Sequence, residues 1–313
     1  MQEWVPFWPR NAALSASVVD TINIGEFILI ALILCLVFGM MITFCVRYRQ
    51  GSAVERKPIT VKSWKFEIGW TSATLAAFFV LFAFGANAYV FLYSPPKTDL
   101  ELYVVGKQWM WKVQHPGGQR EIDAMHIPVD RSVRVLLASE DVVHSFFIPA
   151  FRLKHDVVPG QFETFWFKAT RTGTYELECS EFCGTQHARM IGAVTVMTPA
   201  DYASWLRDQG VAGSMVQKGE ALFRKHGCSG CHGANSTVHA PSLAGLYGSV
   251  VHLQDGRTMR ADDRYIRDCI LIPLSQVVAG YPAVMPSFSG QIGEEELMSI
   301  IAYIKSLPTE AAR

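Results

Sequence analysis

The residues with the most chemistry in this chain fall in one short stretch, Cys179 to Met190, which reads C-S-E-F-C-G-T-Q-H-A-R-M. Two thiols (Cys179, Cys183), an imidazole (His187) and a thioether (Met190) share it. A second imidazole, His144, lies upstream in D-V-V-H-S-F-F-I-P. Thiolate, thioether and imidazole together select copper over hard cations. One thiolate with two histidines and a methionine would describe a mononuclear blue-copper site. Two thiolates allow another use of the set, in which both bridge two coppers, each copper takes one histidine, and Met190 is a weak ligand. A Cys179–Cys183 disulfide and a zinc site are the competing readings, although zinc sites more often show C-x-x-C or H-x-x-x-H spacing.

A second chemical site follows the first. C-S-G-C-H at 228–232 is the covalent heme pattern: Cys228 and Cys231 add to the heme vinyls and His232 is left beneath the iron. A redox C-x-x-C needs no histidine and prefers a βαβ setting, which the flanking sequence lacks. The other axial ligand should be a soft sulfur further on, with Met259, Met285 and Met298 as candidates. Met298 falls in an amphipathic helix whose apolar face is Leu297, Ile300, Ile301 and Ile304. Met259 lies in a polar loop, L-Q-D-G-R-T-M-R. Met285 precedes Pro286 in A-V-M-P-S-F, a rigid loop before the last helix, and is the preferred ligand. Cys269 reads as a packing residue.

These sites need a scaffold and an anchor. Ile22–Val46 carries one charge, Glu26, and Gly69–Tyr93 carries none. Each run exceeds the roughly 20 residues a helix needs to cross a bilayer core. A buried helix of a soluble domain would show a polar stripe over that length, so 22–46 and 69–93 read as membrane spans. The loop 47–68 holds Arg47, Arg49, Arg56, Lys57, Lys62 and Lys65 against Glu55 and Glu67, whereas Arg10 alone marks the segment 1–21. The excess of positive charge puts the loop in the cytoplasm and both termini outside. Residues 1–21 lack a charged region followed by a cleavage site and do not read as a signal peptide. Trp4 and Trp8 could sit at a membrane interface.

From 94 to 198 the pattern turns to short strands, such as L-E-L-Y-V-V, K-Q-W-M-W-K-V and S-V-R-V-L-L-A, punctuated by P-G-G, P-G-Q and T-G-T. Such spacing predicts a β-sandwich or Greek-key barrel. Trp109 and Trp111 fall on one predicted strand and would face the same side, with Trp111 in the core. His115, His126 and His155 belong to no motif and read as surface residues. Thr198-Pro199-Ala200-Asp201 starts a helix, expected to run through Leu206 to Gly210. A hinge V-A-G then leads to Ser214, which with Gln217 forms a capping box. The segment 199–213 thus joins the sandwich to a helical domain, 214–313. Lys and Arg balance Asp and Glu at 28 each, so no basic footprint suggests nucleic acid. Four of the seven cysteines sit in the two chemical motifs, so no disulfide framework is implied.

The stretch around Cys179 resembles the copper A signature C-S-E-x-C-G-x-x-H-x-x-M of cytochrome c oxidase subunit II, and the β-rich region resembles a cupredoxin. The C-terminal region is similar to a class I cytochrome c, with P-S-L-A-G-L after the heme motif, then Y-I-R-D-C-I-L-x-P, M-P and a terminal A-Y-I-K-S-L. The fold implied is multidomain: a two-helix transmembrane hairpin, an all-β cupredoxin-like Greek-key sandwich, and an all-α class I cytochrome c domain. The resemblance implies a binuclear copper A with Cys179 and Cys183 bridging and His144 and His187 terminal. Met190 and the Glu181 carbonyl complete it. It also implies a magnesium ion shared with subunit I through the Glu181 carboxylate. Trp109 in G-K-Q-W-M-W corresponds to a surface electron-entry tryptophan, Glu67 to the mouth of a proton channel in subunit I, and the Pro241 carbonyl to the acceptor for the heme histidine. Departures are Thr74 for a usual proline, Phe146 for tryptophan and Gln161 for arginine.

On this resemblance the chain is the electron-entry subunit of a respiratory, proton-translocating heme–copper oxidase in a bacterial inner membrane. Both redox domains would lie on the periplasmic side. Electrons would pass from heme c to copper A and on to heme in subunit I, where oxygen becomes water, and catalysis belongs to that partner. Subunit III, membrane lipid and a donor such as another cytochrome c or a quinol-oxidising complex are the further partners implied. The alternatives are the electron-entry subunit of a copper A nitric oxide reductase, and a non-catalytic copper-delivery or redox-sensing membrane protein. The short segment before Ser214 should act as a flexible tether, letting the cytochrome domain dock near Trp109 with little dependence on salt.

Overall fold

The computed structural model describes residues 8–55, 64–209, 213–233, 236 and 238–308. Trp4, Arg56, Lys57, Lys62, Gly210 and the first two residues of the V-A-G hinge lie outside the described residues. Two units make up the chain, one spanning Leu14–Pro95 and the other joining the first residues to Pro96–Arg313.

The first unit holds helices α1 (Leu14–Arg47) and α2 (Trp64–Tyr93). Both begin before the apolar runs do. Along α2 no side chain is buried, and along the apolar stretch of α1 the side chains also point outward. Apolar helices of this length with nothing covering them are built for a bilayer, where each backbone group is satisfied inside the helix. Thr74, standing where the resemblance expects proline, donates its hydroxyl to the Trp70 carbonyl at 2.9 Å, and the helix runs on uninterrupted.

The second unit begins with a β-sandwich. Its strands are β1 (Leu100–Lys107), β2 (Met110–Gln114), β3 (Arg120–Ile122), β4 (Ala124–Pro128), β5 (Ser132–Ser139), β6 (His144–Ile148), β7 (Leu153–Val157), β8 (Glu163–Lys168), β9 (Gly173–Cys179) and β10 (Ile191–Met197). One sheet is ordered β3-β2-β1-β5-β8 and the other β4-β10-β9-β6-β7. The pairs β1–β5 and β4–β10 are parallel. Inner faces meet in a core of Leu102, Val104, Trp111, Ile127, Phe146 and Phe167, all at most 1% exposed. Phe146 packs edge-on against Trp111, with ring centroids 5.2 Å apart. Residues of the N-terminal segment also join the sandwich: Ala12 donates to the Ala150 carbonyl and accepts from Thr170. Trp8 lies under the Arg152 guanidinium at 5.6 Å rather than standing apart from the fold.

Helix α3 (Pro199–Asp208) starts at the Thr198 cap, whose side chain accepts from the Asp201 N–H. It packs back on the sandwich and corrects the surface reading of the histidines. His115 is fully buried. One of its ring nitrogens meets the Tyr202 hydroxyl and the other the Glu121 carboxylate, each at 2.9 Å. His126 is half-buried, stacks on Trp205 at 4.6 Å and shares Glu121. Burial alone would raise the Glu121 carboxyl, but its bonds to His115 and His126 hold it below the ordinary value. His155 stacks on Phe165 with centroids 4.1 Å apart. The aromatic face of α3 needed a partner, and His115 and His126 supply it.

The helical domain contains α4 (Met215–Lys225), α5 (Ser229–His232), α6 (Asp263–Leu271) and α7 (Glu294–Ser306). The Ser214–Gln217 capping box closes the start of α4. A two-stranded ribbon, β11 (Val250–His252) and β12 (Thr258–Arg260), is added to the helices.

This domain is not loosely tethered. Tyr103, Val105, Leu136 and Ala138, on the outer face of β1 and β5, share one apolar cluster with Phe223, Ile266, Leu297 and Ile301 of the helical domain. A four-charge cluster locks the contact. Lys305 reaches Glu101 at 2.6 Å and Asp263 at 3.1 Å, and Arg134 reaches Asp263 at 2.6 Å and Glu101 at 3.2 Å. Further along, Lys112 meets Glu295 at 2.9 Å, and Arg267 donates to the Gly160 carbonyl. The expected docking near Trp109 is therefore corrected. The helical domain covers the outer face of β1 and β5, while Trp109 packs with the sandwich core.

Candidate redox sites

Strand ends and one loop gather the first site. His144 opens β6 and Cys179 closes β9, and the two strands are paired with Phe146 opposite Cys179. Cys183 follows in the loop, His187 begins a short 3-10 turn, and Met190 directly precedes β10. Backbone bonds from Cys179 N to the Met190 carbonyl (3.2 Å) and from Ser180 N to the Ser145 carbonyl (3.0 Å) close the loop onto both strands.

The donor atoms converge. The two sulfurs lie 3.7 Å apart, His144 Nδ1 is 3.9 Å from Cys179 Sγ, and His187 Nδ1 is 3.5 Å from Cys183 Sγ. Met190 Sδ stands 3.8 Å from Cys183 Sγ, and the Glu181 carbonyl oxygen is 3.2 Å from Cys179 Sγ. A disulfide needs about 2.05 Å between sulfurs, so this pair is arranged as two free thiols. His144, Cys179, Cys183 and Met190 are buried, while the Glu181 side chain is exposed. Burial would raise the Cys179 thiol, but the His144 ring and the backbone at Ser145 and Glu181 bring it down to about 6. Burial and that neighbouring thiolate push Cys183 up to about 12. A cation between the sulfurs removes this conflict by taking both thiolates, so the donor set fits a soft metal centre.

Supports for the site come from residues that no sequence motif marked. Asp141 holds His144 Nε2 at 2.8 Å and accepts from the Gln108 backbone N–H at 2.8 Å. That bond fixes the ring with Nδ1 turned to the thiols. The Gln108 side chain and Trp109 Nε1 both donate to the Cys183 carbonyl, at 2.7 and 3.3 Å. Gln108 and Trp109 form the turn between β1 and β2, which corrects the single strand expected over this run. Trp111 is on β2 and fully buried, whereas Trp109 is half-buried over the loop. Gly184 has φ +122°, and a side chain there would meet Gln108 and Trp109, so the loop needs glycine at that point. The signal for Asp141 was present in D-V-V-H: an acid three residues before a ligand histidine can reach its ring.

The second site is a cavity of about 690 Å³ in the helical domain, a size suited to a cofactor. Cys228, Cys231, His232 and Met285 line it, together with apolar side chains such as Leu243 and Phe288. His232 Nδ1 lies 3.0 Å from the Pro241 carbonyl. Donating its proton there leaves Nε2 free as a ligand. Of the three candidate methionines only Met285 lines the cavity: Met298 is 1% exposed in the helical core, and Met259 sits on β12 opposite Val251. Attachment thiols, an oriented imidazole and an apolar wall fit a covalently held heme. Cys269 also lines the cavity, with its sulfur 3.6 Å from Gln276 Oε1. Glu67 lies in the first turn of α2.

The profile described as cytochrome C oxidase subunit II, periplasmic domain, matches residues 117–197, and that of cytochrome c matches 216–308. The alternative cytochrome c oxidase subunit 2 of Bradyrhizobium diazoefficiens is 30% identical over 241 residues, covering 65% of this chain and 84% of that protein. Cytochrome c oxidase subunit 2 of Alkalihalophilus pseudofirmus is 26% identical over 297 residues, covering 90% and 84%. A crystal structure of the periplasmic domain of subunit II of cytochrome oxidase from Bradyrhizobium japonicum is 35% identical. It covers 36% of this chain and 95% of that one, with a TM-score of 0.35.

Proposed function

Because the chain belongs to the cytochrome c oxidase subunit II family, we propose that it is the electron-entry subunit of a respiratory heme–copper oxidase. Members of this family are subunits of an oxidoreductase complex, and the two matched domains imply copper A and heme. The two apolar helices fit a membrane-anchored protein with periplasmic domains. In the finer reading the copper centre would be binuclear: Cys179 and Cys183 would be its shared thiolates, His144 and His187 its imidazole ligands, and Met190 with the Glu181 carbonyl its weak ligands. Heme c would be held by Cys228 and Cys231, with His232 and Met285 as its iron ligands and Pro241 orienting His232. When bound, both groups would supply one-electron redox chemistry.

What the chain contributes is placement. Asp141, Gln108 and Trp109 hold the copper loop, and the sandwich core keeps water from the thiols. The outer face of β1 and β5 carries the heme domain at a set position. The order of transfer proposed is heme c, copper A, then heme in subunit I. Glu181 would share a magnesium ion with subunit I, and Glu67 would open a proton path there. Subunit III and a donor such as another cytochrome c or a quinol-oxidising complex complete the assembly, in a bacterial inner membrane with both termini outside.

The observation that carries this reading is the convergence of two thiols, two imidazoles and a thioether within 3.5–3.9 Å contacts in a chain that also holds a C-x-x-C-H cavity. Metal analysis and an optical spectrum of the purified full complex test it. Copper in a thiolate-bridged mixed-valence pair with one covalent heme c per chain is expected. Zinc at the thiols, or heme b with non-heme iron in the partner subunit, would turn the assignment elsewhere.

A further inference from the structure

The hairpin formed by β1 and β2 touches both redox domains. Its tip belongs to the copper site. The Gln108 backbone N–H donates to Asp141, and the Gln108 side chain and Trp109 Nε1 donate to the Cys183 carbonyl. Just before the tip, the Gly106 backbone lies against a ligand ring: a Cβ there would be 3.0 Å from His144 Cδ2 and 3.1 Å from the Trp111 ring.

The outer face of the same hairpin is gripped by the cytochrome domain. Val105 and Lys112 are paired across it, so their side chains leave the same face. Val105 enters the apolar cluster shared with the cytochrome helices. Lys112 reaches Glu295, in the first turn of α7, at 2.9 Å and Glu140 at 3.3 Å. Lys107 also meets Glu140, at 2.9 Å, and Arg120 lies 3.6 Å from Glu295. The Glu140 N–H donates to the Gly106 carbonyl at 3.0 Å, and the next residue, Asp141, holds His144 Nε2 at 2.8 Å. A line of linked groups therefore runs from Glu295 through Lys112, Glu140 and Asp141 to a copper-site imidazole. The side chains of Lys112, Glu140 and Glu295 are 25%, 24% and 28% exposed, and pairs this accessible add little to stability. Their use is geometric, because a metal site responds to the groups that orient its ligands from behind.

We propose that the docked cytochrome domain braces the copper site through this hairpin, with Lys112 and Glu295 as positioning residues for Asp141 and His144. The identity of the metal rests on the copper reading above. Without Glu295, Lys112 no longer ties the hairpin to α7, and the Asp141–His144 pair gains freedom of angle.

The test uses the full complex with copper and heme in place, carrying Glu295→Gln, Lys112→Met or both. Copper affinity is measured by competition with a chelator. The hyperfine splitting in electron paramagnetic resonance and the redox potential report the geometry of the copper. Each single variant should weaken copper binding about threefold, less than the roughly 10–100-fold cost of losing a group that holds a ligand directly. Splitting and potential should shift with it, while the heme spectrum stays unchanged. The double variant should lose no more than Lys112→Met alone, since both substitutions break one link. Arg224→Met, which breaks an exposed pair with Glu220 inside α4, should leave the copper signals as they are. Wild-type affinity and splitting in both single variants would overturn the brace. So would additive losses in the double variant, or equal losses in Arg224→Met. A wild-type complex that takes up no copper at all would overturn the copper reading itself, and the brace with it.

Discussion

Cys179 and Cys183 are held close enough that ionising one opposes ionising the other. With Cys179 at about 6 and Cys183 at about 12, the metal-free pair carries one thiolate between pH 7 and 9. Copper uptake there should release about one proton from the pair, rising toward two below about pH 6, so apparent affinity increases with pH. Proton release measured in weakly buffered copper titrations checks this, and uptake without release would contradict it. Cys183→Ser should abolish the mixed-valence pair. Met190→Leu should keep it while shifting its potential and slowing transfer, because a weak axial ligand tunes more than it binds. An intact two-copper spectrum in the Cys183 variant would sink the bridging role. The ligand types and the heme motif were legible in the sequence because spacing alone carries them. Asp141 was marked only by its place three residues before His144, and Gln108 was not legible, because its role depends on a turn and a loop meeting across the sandwich.

At the scale of elements, β1 and β5 carried a signal of the domain contact that the strand reading did not use. L-Y-V-V and V-L-L-A are continuous apolar runs, which suit a strand covered on both faces. One face meets the sandwich core and the other the cytochrome domain. The length of the connection alone does not reveal this contact. Likewise, Tyr202 and Trp205 on α3 called for a buried partner, which His115 and His126 provide. Lys305→Met should leave Glu101 and Asp263 short of a cation at a largely buried contact and loosen the interface by about 3 kcal/mol. Burial alone would raise Asp263, but Lys305 and Arg134 hold it below the ordinary carboxylate value. Its contribution is therefore present above the unfolded value, near pH 4, and is lost as pH falls through the folded one. Hydrogen exchange of β1 and β5 in the full-length protein should speed up in the Lys305 variant and, for the wild type, in acid. Equal exchange in both proteins would remove the cluster from the docking account.

For the whole molecule, the anchor and the redox domains carry separable tasks. Glu67→Ala should slow turnover and proton uptake while heme c and copper A are reduced at wild-type rates. Unchanged turnover and uptake would make Glu67 an ordinary helix-end charge. The overall architecture was legible from length and pattern: two uncovered apolar helices, a strand-rich block and a helical block with C-x-x-C-H. Domain docking was not, because it depends on contacts between residues far apart in the chain, such as Glu101 with Lys305. The central claim is that electrons enter through the fused heme before they reach copper A. Rapid mixing of the reduced donor with the Met285→Ala complex, following heme c and copper bands together, tests it most directly. The account predicts that copper A stays spectroscopically intact but is no longer reduced at the wild-type rate. Copper reduction as fast as in the wild type, with heme c bypassed, would contradict it.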